Sequence, residues 1–226
     1  MSTLTPIYDI TPFTLLDYPD KVACIIWFAG CNMRCLYCYN PDIVLGKGKI
    51  GYTDVLAFLQ SRKGMLEAVV LSGGECTMHG NLIELIRAIR MMGFLIKVDT
   101  NGSRPLVIEQ LVKEGLVDYL AVDFKAMPIN FVEQTGSDLF GSFERTITFL
   151  IASEQHFEIR TTVHSDLIDN ADFNKMVDYL ERMKYIGTYY VQHFINNVPT
   201  LAQLGFSNKQ LKKSYQARIN IDVVFR

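Results

Sequence analysis

Three cysteines stand in one tight run, Gly30-Cys31-Asn32-Met33-Arg34-Cys35-Leu36-Tyr37-Cys38-Tyr39-Asn40, directly after the apolar residues 22–28. Thiolates at this spacing wrap one face of a soft metal centre. A closed structural zinc site or a fully ligated cubane cluster takes four protein ligands. The other two cysteines, Cys24 and Cys76, lie outside the run. Three ligands leave one metal corner open, and an open corner is where a reactant binds. The competing reading is a structural metal site completed by Cys24 or Cys76. Taken singly, Cys24 reads as a small buried hydrophobe, and Cys76 as a core residue or a pocket wall.

More polar residues and glycines collect just after short apolar segments. Leu71-Ser72-Gly73-Gly74-Glu75, Asp99-Thr100-Asn101-Gly102 and Asp123-Phe124-Lys125 each follow one, Arg160 lies within another, and His193 falls near the end of a further one. The apolar segments themselves, residues 22–28, 68–71, 95–99, 119–124, 158–163, 189–194 and 219–224, are rich in β-branched and aromatic residues and predict buried strands. Amphipathic helices are predicted between them. Leu82, Leu85, Ile86 and Ile89 share one face, as do Phe173, Met176, Val177 and Leu180, and Phe143, Ile147, Leu150 and Ile151. Thr53 is expected to cap a helix over 54–63 that Gly64 ends.

About six βα units can be counted, fewer than the eight of a full barrel. They predict an α/β fold, a partial (β/α)6 barrel forming one domain over residues 1–226, with ligands at the carboxyl edge of the sheet. The chain is long enough for a large core. A net charge of −2 gives no electrostatic footprint for nucleic acid or an anionic membrane. The N-terminus has no signal-peptide pattern, no apolar run approaches a membrane span, and the odd, clustered cysteines suit a reducing cytoplasm. His79, His156 and His164 read as surface or satisfied polar residues. Lys209, Lys212, Lys213 and Arg218 read as the solvated face of a last helix.

The cysteine spacing, with the aromatic Tyr37 before its last member, resembles the signature of the radical S-adenosylmethionine superfamily. Leu15-Leu16-Asp17-Tyr18-Pro19-Asp20-Lys21-Val22-Ala23, Ser72-Gly73-Gly74-Glu75, Val98-Asp99-Thr100-Asn101-Gly102, the run Asp118 to Ala126, Arg160-Thr161-Thr162-Val163 and Val191-Gln192-His193-Phe194 narrow the likeness. They are similar to the branch that activates anaerobic ribonucleotide reductase and pyruvate formate-lyase. The resemblance implies a [4Fe–4S] cluster on Cys31, Cys35 and Cys38 and bound S-adenosylmethionine, with no catalytic residue beyond these cofactors. It implies cofactor contacts from Tyr37, Tyr39, Gly73, Gly74, Glu75, Asp99, Thr100, Asn101, Asp123, Lys125, Arg160 and His193. Asp99, Thr100 and Asp123 also match positions that bind a monovalent cation in the pyruvate formate-lyase activator. The implied partners are a glycyl-radical enzyme and an electron donor such as flavodoxin or ferredoxin, with no membrane or nucleic acid. Where this branch usually has histidine after the third cysteine the chain has Tyr39, and where it has proline after Gly-Gly-Glu the chain has Cys76.

Two other functions fit the same residues. One is a radical S-adenosylmethionine enzyme acting on a small molecule or a modified nucleoside. The other is a metal-binding protein without catalysis.

Overall fold

The computed structural model describes residues 5–208, 211 and 220–226. The basic positions 209, 212, 213 and 218 lie outside the described residues. The chain gathers into two compact units, one of residues 1–32, 40–100 and 106–121, the other of residues 33–39, 101–105 and 122–226.

In the first unit, β1 (Ile7–Thr14) pairs antiparallel with β2 (Ala23–Phe28), which is followed by α1 (Pro41–Leu45) and α2 (Tyr52–Ser61). Then come β3 (Ala68–Gly73), α3 (Leu82–Met91), β4 (Leu95–Thr100) and α4 (Pro105–Lys113). β2, β3 and β4 are parallel and in register, Ile25 beside Val70 and Val70 beside Lys97. Ala23, Ile25, Ala68, Val70 and Tyr18 form one buried cluster, with Trp27, Leu95 and Tyr119 packed on it. The alternate residues Cys24, Ile26, Phe28, Val69 and Leu71 are buried as well. Burial on both faces is why these strands read as continuous apolar runs.

β5 (Tyr119–Asp123) leads into the second unit, which holds α5 (Pro128–Thr135), α6 (Phe140–Ala152), β6 (Phe157–Val163), α7 (Asn170–Arg182), β7 (Gly187–His193) and β8 (Ile221–Phe225). β6, β7 and β8 are parallel neighbours. The core here is aromatic: Phe124 stacks on Phe143 with ring centroids 5.0 Å apart, and Phe173 on Tyr189 at 5.8 Å.

The predicted strands are present with ends shifted by one or two residues. β1 escaped the sequence reading because Pro12 interrupts its pattern and only Ile7 and Thr14 of its side chains are buried, as suits an edge strand. The start of α2 is a correction. It begins at Tyr52 with Gly51 as the cap, and the Asp54 carboxylate accepts from the Gly51 amide at 3.1 Å. Thr53 lies inside the helix. The apolar faces of α3 and α7 are buried as the 3.6-residue period requires, and on α6 Phe143, Ile147 and Leu150 are buried while Ile151 is half-buried.

Candidate active site

In the first unit, β3 runs into Gly73 and Gly74 at the height where β2 ends. The Gly74 amide donates to the Phe28 carbonyl and the Glu75 amide to the Gly30 carbonyl, each at 2.9 Å. Gly73 has φ +116°, and a Cβ on it would lie 2.5 Å from the Phe28 backbone N and O. A Cβ on Gly74 would lie 1.7 Å from the Gly30 oxygen. The two glycines are therefore required by the backbone they touch, which leads straight into Cys31.

Glu75 is fully buried. Its Oε1 accepts from the Thr77 amide at 3.2 Å, from the Thr77 hydroxyl, and from the Thr100 hydroxyl at 2.8 Å. The carboxylate thus joins the Gly-Gly-Glu turn to the end of β4 without a cationic side chain among these donors. Next to it, Asp99 Oδ2 accepts from the Ser72 hydroxyl at 3.0 Å. Asp99 Oδ1 lies 2.9 Å from the ammonium of Lys97, whose side chain is only 4% exposed. Lys97 also donates to the Asp17 carbonyl at 2.7 Å, which fastens the turn before Tyr18. At the carboxylate where a monovalent cation was expected, a side-chain ammonium already stands.

In the second unit the backbone of the cysteine run is held from two sides. The amides of Arg34 and Leu36 donate to the Thr135 and Gln134 carbonyls at 2.7 and 3.0 Å, satisfying groups at the C-terminal end of α5 that lack a helical partner. The carbonyls of Leu36 and Cys38 accept from the Ala202 and Leu201 amides at 3.1 and 3.0 Å. Beneath this run lies an ionic cluster. Asp123 Oδ1 accepts from Arg160 Nε and Nη2 at 3.1 and 3.0 Å, and Asp123 Oδ2 is 3.3 Å from Lys125. Lys125 in turn sits 5.9 Å from the centre of the Tyr37 ring. Burial raises the Tyr37 phenol above its ordinary range. Burial also raises the Cys35 thiol, while the Lys125 ammonium pulls it back toward the thiolate that a metal needs. Asn101, in this unit, is buried, and its side-chain oxygen accepts from the Ser103 amide at 3.0 Å, shaping the turn after β4.

His193 takes a different place from Arg160. In the β6–β7 register Arg160 lies beside Tyr190 and Thr162 beside Gln192, so Tyr190 and Gln192 share the Arg160 face. His193 alternates with Val191 and Tyr189, the face whose Tyr189 packs on Phe173 of α7. Its ring stacks on Phe225 at 5.7 Å and lines a cavity of about 210 Å³ with Ser165, Asp169, Asn170 and Ser207. Tyr39 also faces its own neighbours: its hydroxyl accepts from the Ile195 amide at 2.6 Å and its ring stacks on Phe194 at 5.4 Å.

Residues 25–183 match the model of the radical SAM superfamily. A glycyl-radical enzyme activating enzyme of Methanocaldococcus jannaschii is 32% identical over 191 residues, 82% of this chain and 78% of that one. The chain belongs to the radical SAM superfamily. The pyruvate formate-lyase 1-activating enzyme of Escherichia coli is 28% identical over 137 residues, 56% of this chain and 54% of that protein. SuiB of Streptococcus suis, solved with S-adenosylmethionine bound, shares the fold with a TM-score of 0.65 at 12% identity, over 89% of this chain and 51% of that chain. The fold is thus the α/β, partial-barrel type of the radical SAM enzymes. Among the described residues no helix is long and apolar enough to cross a membrane.

The cofactors of this superfamily are a [4Fe–4S] cluster and S-adenosylmethionine, and the chain's donor set fits them. Cys24 and Cys76 are fully buried. Burial pushes the Cys24 thiol up to about 12, and burial with the charges of Glu75 and Asp99 pushes Cys76 well up. Both lie outside the run and are shut away from solvent. Among the described residues no three His, Cys, Asp or Glu side chains converge tightly enough for a single metal ion.

Several residues that shape this radical SAM site gave little signal in the sequence. Lys97 was readable in principle, as a lysine inside an apolar strand two residues before Asp99. Ser72 and the α5 carbonyls were not, because each acts through a contact distant in sequence.

Proposed function

We infer that this radical SAM enzyme activates a glycyl-radical enzyme, with an anaerobic ribonucleotide reductase or a relative of it as the target. The observation that carries the reading is the match over most of both chains to a relative named as a glycyl-radical enzyme activating enzyme. When bound, the [4Fe–4S] cluster and S-adenosylmethionine would supply one-electron reductive cleavage and, through it, hydrogen-atom abstraction from a glycine Cα.

The chain's own part is to hold and orient. Cys31, Cys35 and Cys38 ligate the cluster. The carbonyls of the Gly73-Gly74 turn receive the cofactor's amino group, and Arg160 receives its carboxylate. Arg160 has a charge to share because Asp123, its partner, is itself contacted by Lys125. Tyr37 packs against the adenine, with Asn101 toward the ribose.

The test is anaerobic mixing of the reduced, reconstituted chain with S-adenosylmethionine and the candidate reductase. Electron paramagnetic resonance is expected to show a glycyl-radical doublet on the reductase, and alanine at its glycine should remove it. Cofactor cleavage stimulated by a small metabolite or an RNA, with no doublet on any glycyl-radical enzyme, would replace this reading with the small-molecule one.

A further inference from the structure

The residues after β7 form a strap whose contacts are not explained by packing of the core. Phe194, Ile195, Leu201 and Ala202 all touch the stretch Leu36–Tyr39. Two of the contacts are backbone hydrogen bonds to the carbonyls of Leu36 and Cys38. The third is made by Tyr39, whose hydroxyl accepts from the Ile195 amide while its ring lies nearly parallel to Phe194, 28° between planes. The strap is itself braced. The Asn196 side chain donates to the Ser207 carbonyl at 2.9 Å and accepts from the Ser207 amide at 2.8 Å. Phe194 meets His164 edge-on at 4.6 Å. From Phe194 to Asn208 the sequence carries no charged residue, so no ion pair holds the strap in place.

We propose that Tyr39 is a positioning residue that fastens this strap across the Cys35–Cys38 arm of the cysteine run and shields the iron–sulfur cluster there. The shielding part rests on the radical SAM reading; the fastening does not. Cys35 is buried and Cys38 half-buried beside the strap's attachment points. Solvent access and hydrogen bonding near the sulfurs are the protein's main means of tuning such a cluster. Tyr39 supplies both ends of the fastening from one side chain: the phenolic oxygen anchors the backbone of Ile195, and the ring covers Phe194. Phenylalanine at this position keeps the ring contact and removes the anchor, which separates the two.

The experiment compares the wild type with Tyr39→Phe and Tyr39→Ala, and it has two readouts. In the metal-free chain, hydrogen exchange of the peptide spanning 194–202 should quicken about tenfold in Tyr39→Phe, the loss of one hydrogen bond, and further in Tyr39→Ala. In the reconstituted protein, cluster absorbance should bleach several times faster in air-saturated buffer for Tyr39→Phe at equal iron content. Unchanged exchange in Tyr39→Phe overturns the fastening. Faster exchange with unchanged bleaching overturns the shielding and leaves the strap purely structural. A wild-type chain that takes up no iron defeats the radical SAM reading, and with it the shielding, while the exchange measurement still decides the fastening.

Discussion

At the scale of single residues, the steric demand on Gly74 is the sharpest constraint in the site. Its neighbour is the backbone oxygen of Gly30, one residue before Cys31, and backbone cannot rotate away as a side chain can. Gly74→Ala must displace Gly30 or Gly74 itself, so reconstitution should yield far fewer than the about four irons per chain of a full cubane. Iron and sulfide analysis reads this directly. Gly141→Ala is the control, because a Cβ there meets nothing within 4 Å. Lying in the first turn of α6, it should be neutral or stabilising by up to about 1 kcal/mol.

Lys97 presents the electrostatic counterpart. A buried ammonium is stable only while its partners remain, and removing one partner of a buried pair leaves the other desolvated and uncompensated. Lys97→Met should cost about 3–5 kcal/mol in a urea melt, and adding Asp99→Asn should recover a large part of that loss. A double variant no more stable than Lys97→Met alone would show that Lys97 acts through the Asp17 carbonyl instead.

At the scale of elements, β1 is the most exposed of the strands described, and its hold on β2 depends on a few directed contacts. The indole of Trp27 donates to the Thr11 hydroxyl at 2.8 Å, across the antiparallel pair. Thr11→Val preserves shape and β-propensity but removes the acceptor from a part-buried donor. The expected cost is about 1–3 kcal/mol. Trp27 is the sole tryptophan in the chain, so a shift of its fluorescence reports whether the edge strand loosens before global unfolding. The end of α5 illustrates the opposite case. The carbonyls of Gln134 and Thr135 accept from Leu36 and Arg34, so a helix terminus and the cysteine run stabilise each other.

At the scale of the whole molecule, environment divides the five cysteines: Cys24, Cys35 and Cys76 are buried, Cys31 and Cys38 half-buried. A raised thiol pKa keeps the group protonated and unreactive until the pH approaches that value. At pH 8 in the metal-free chain, iodoacetamide should modify Cys31 and Cys38, which are half-buried, and spare Cys24 and Cys76. Peptide mass spectrometry across a pH series checks this: labelling of native Cys24 should appear only as the pH nears about 12. Ready labelling of Cys76 at pH 8 would mean that the Gly-Gly-Glu turn opens in solution.

Much of this protein was legible in the chain alone because its chemistry is local. The spacing of Cys31, Cys35 and Cys38 is set by covalent distance, so the superfamily follows from contiguous residues. The β-strands from β2 onward and the buried faces of α3 and α7 follow from periodicity, since a strand buried on both faces and a one-sided helix leave different patterns. Tertiary structure decided what depends on partners distant in the sequence. Only the fold shows that Gly74 answers to Gly30, that Glu75 binds Thr100, and that Lys97 neutralises Asp99. Only the strand register shows which face His193 takes, because side chains alternate and a single position separates it from Gln192 on the Arg160 face. Tyr39 likewise stands beside Cys38 in the sequence, yet its partner is Ile195, and no local pattern announces a contact closed by more than a hundred and fifty residues of intervening chain.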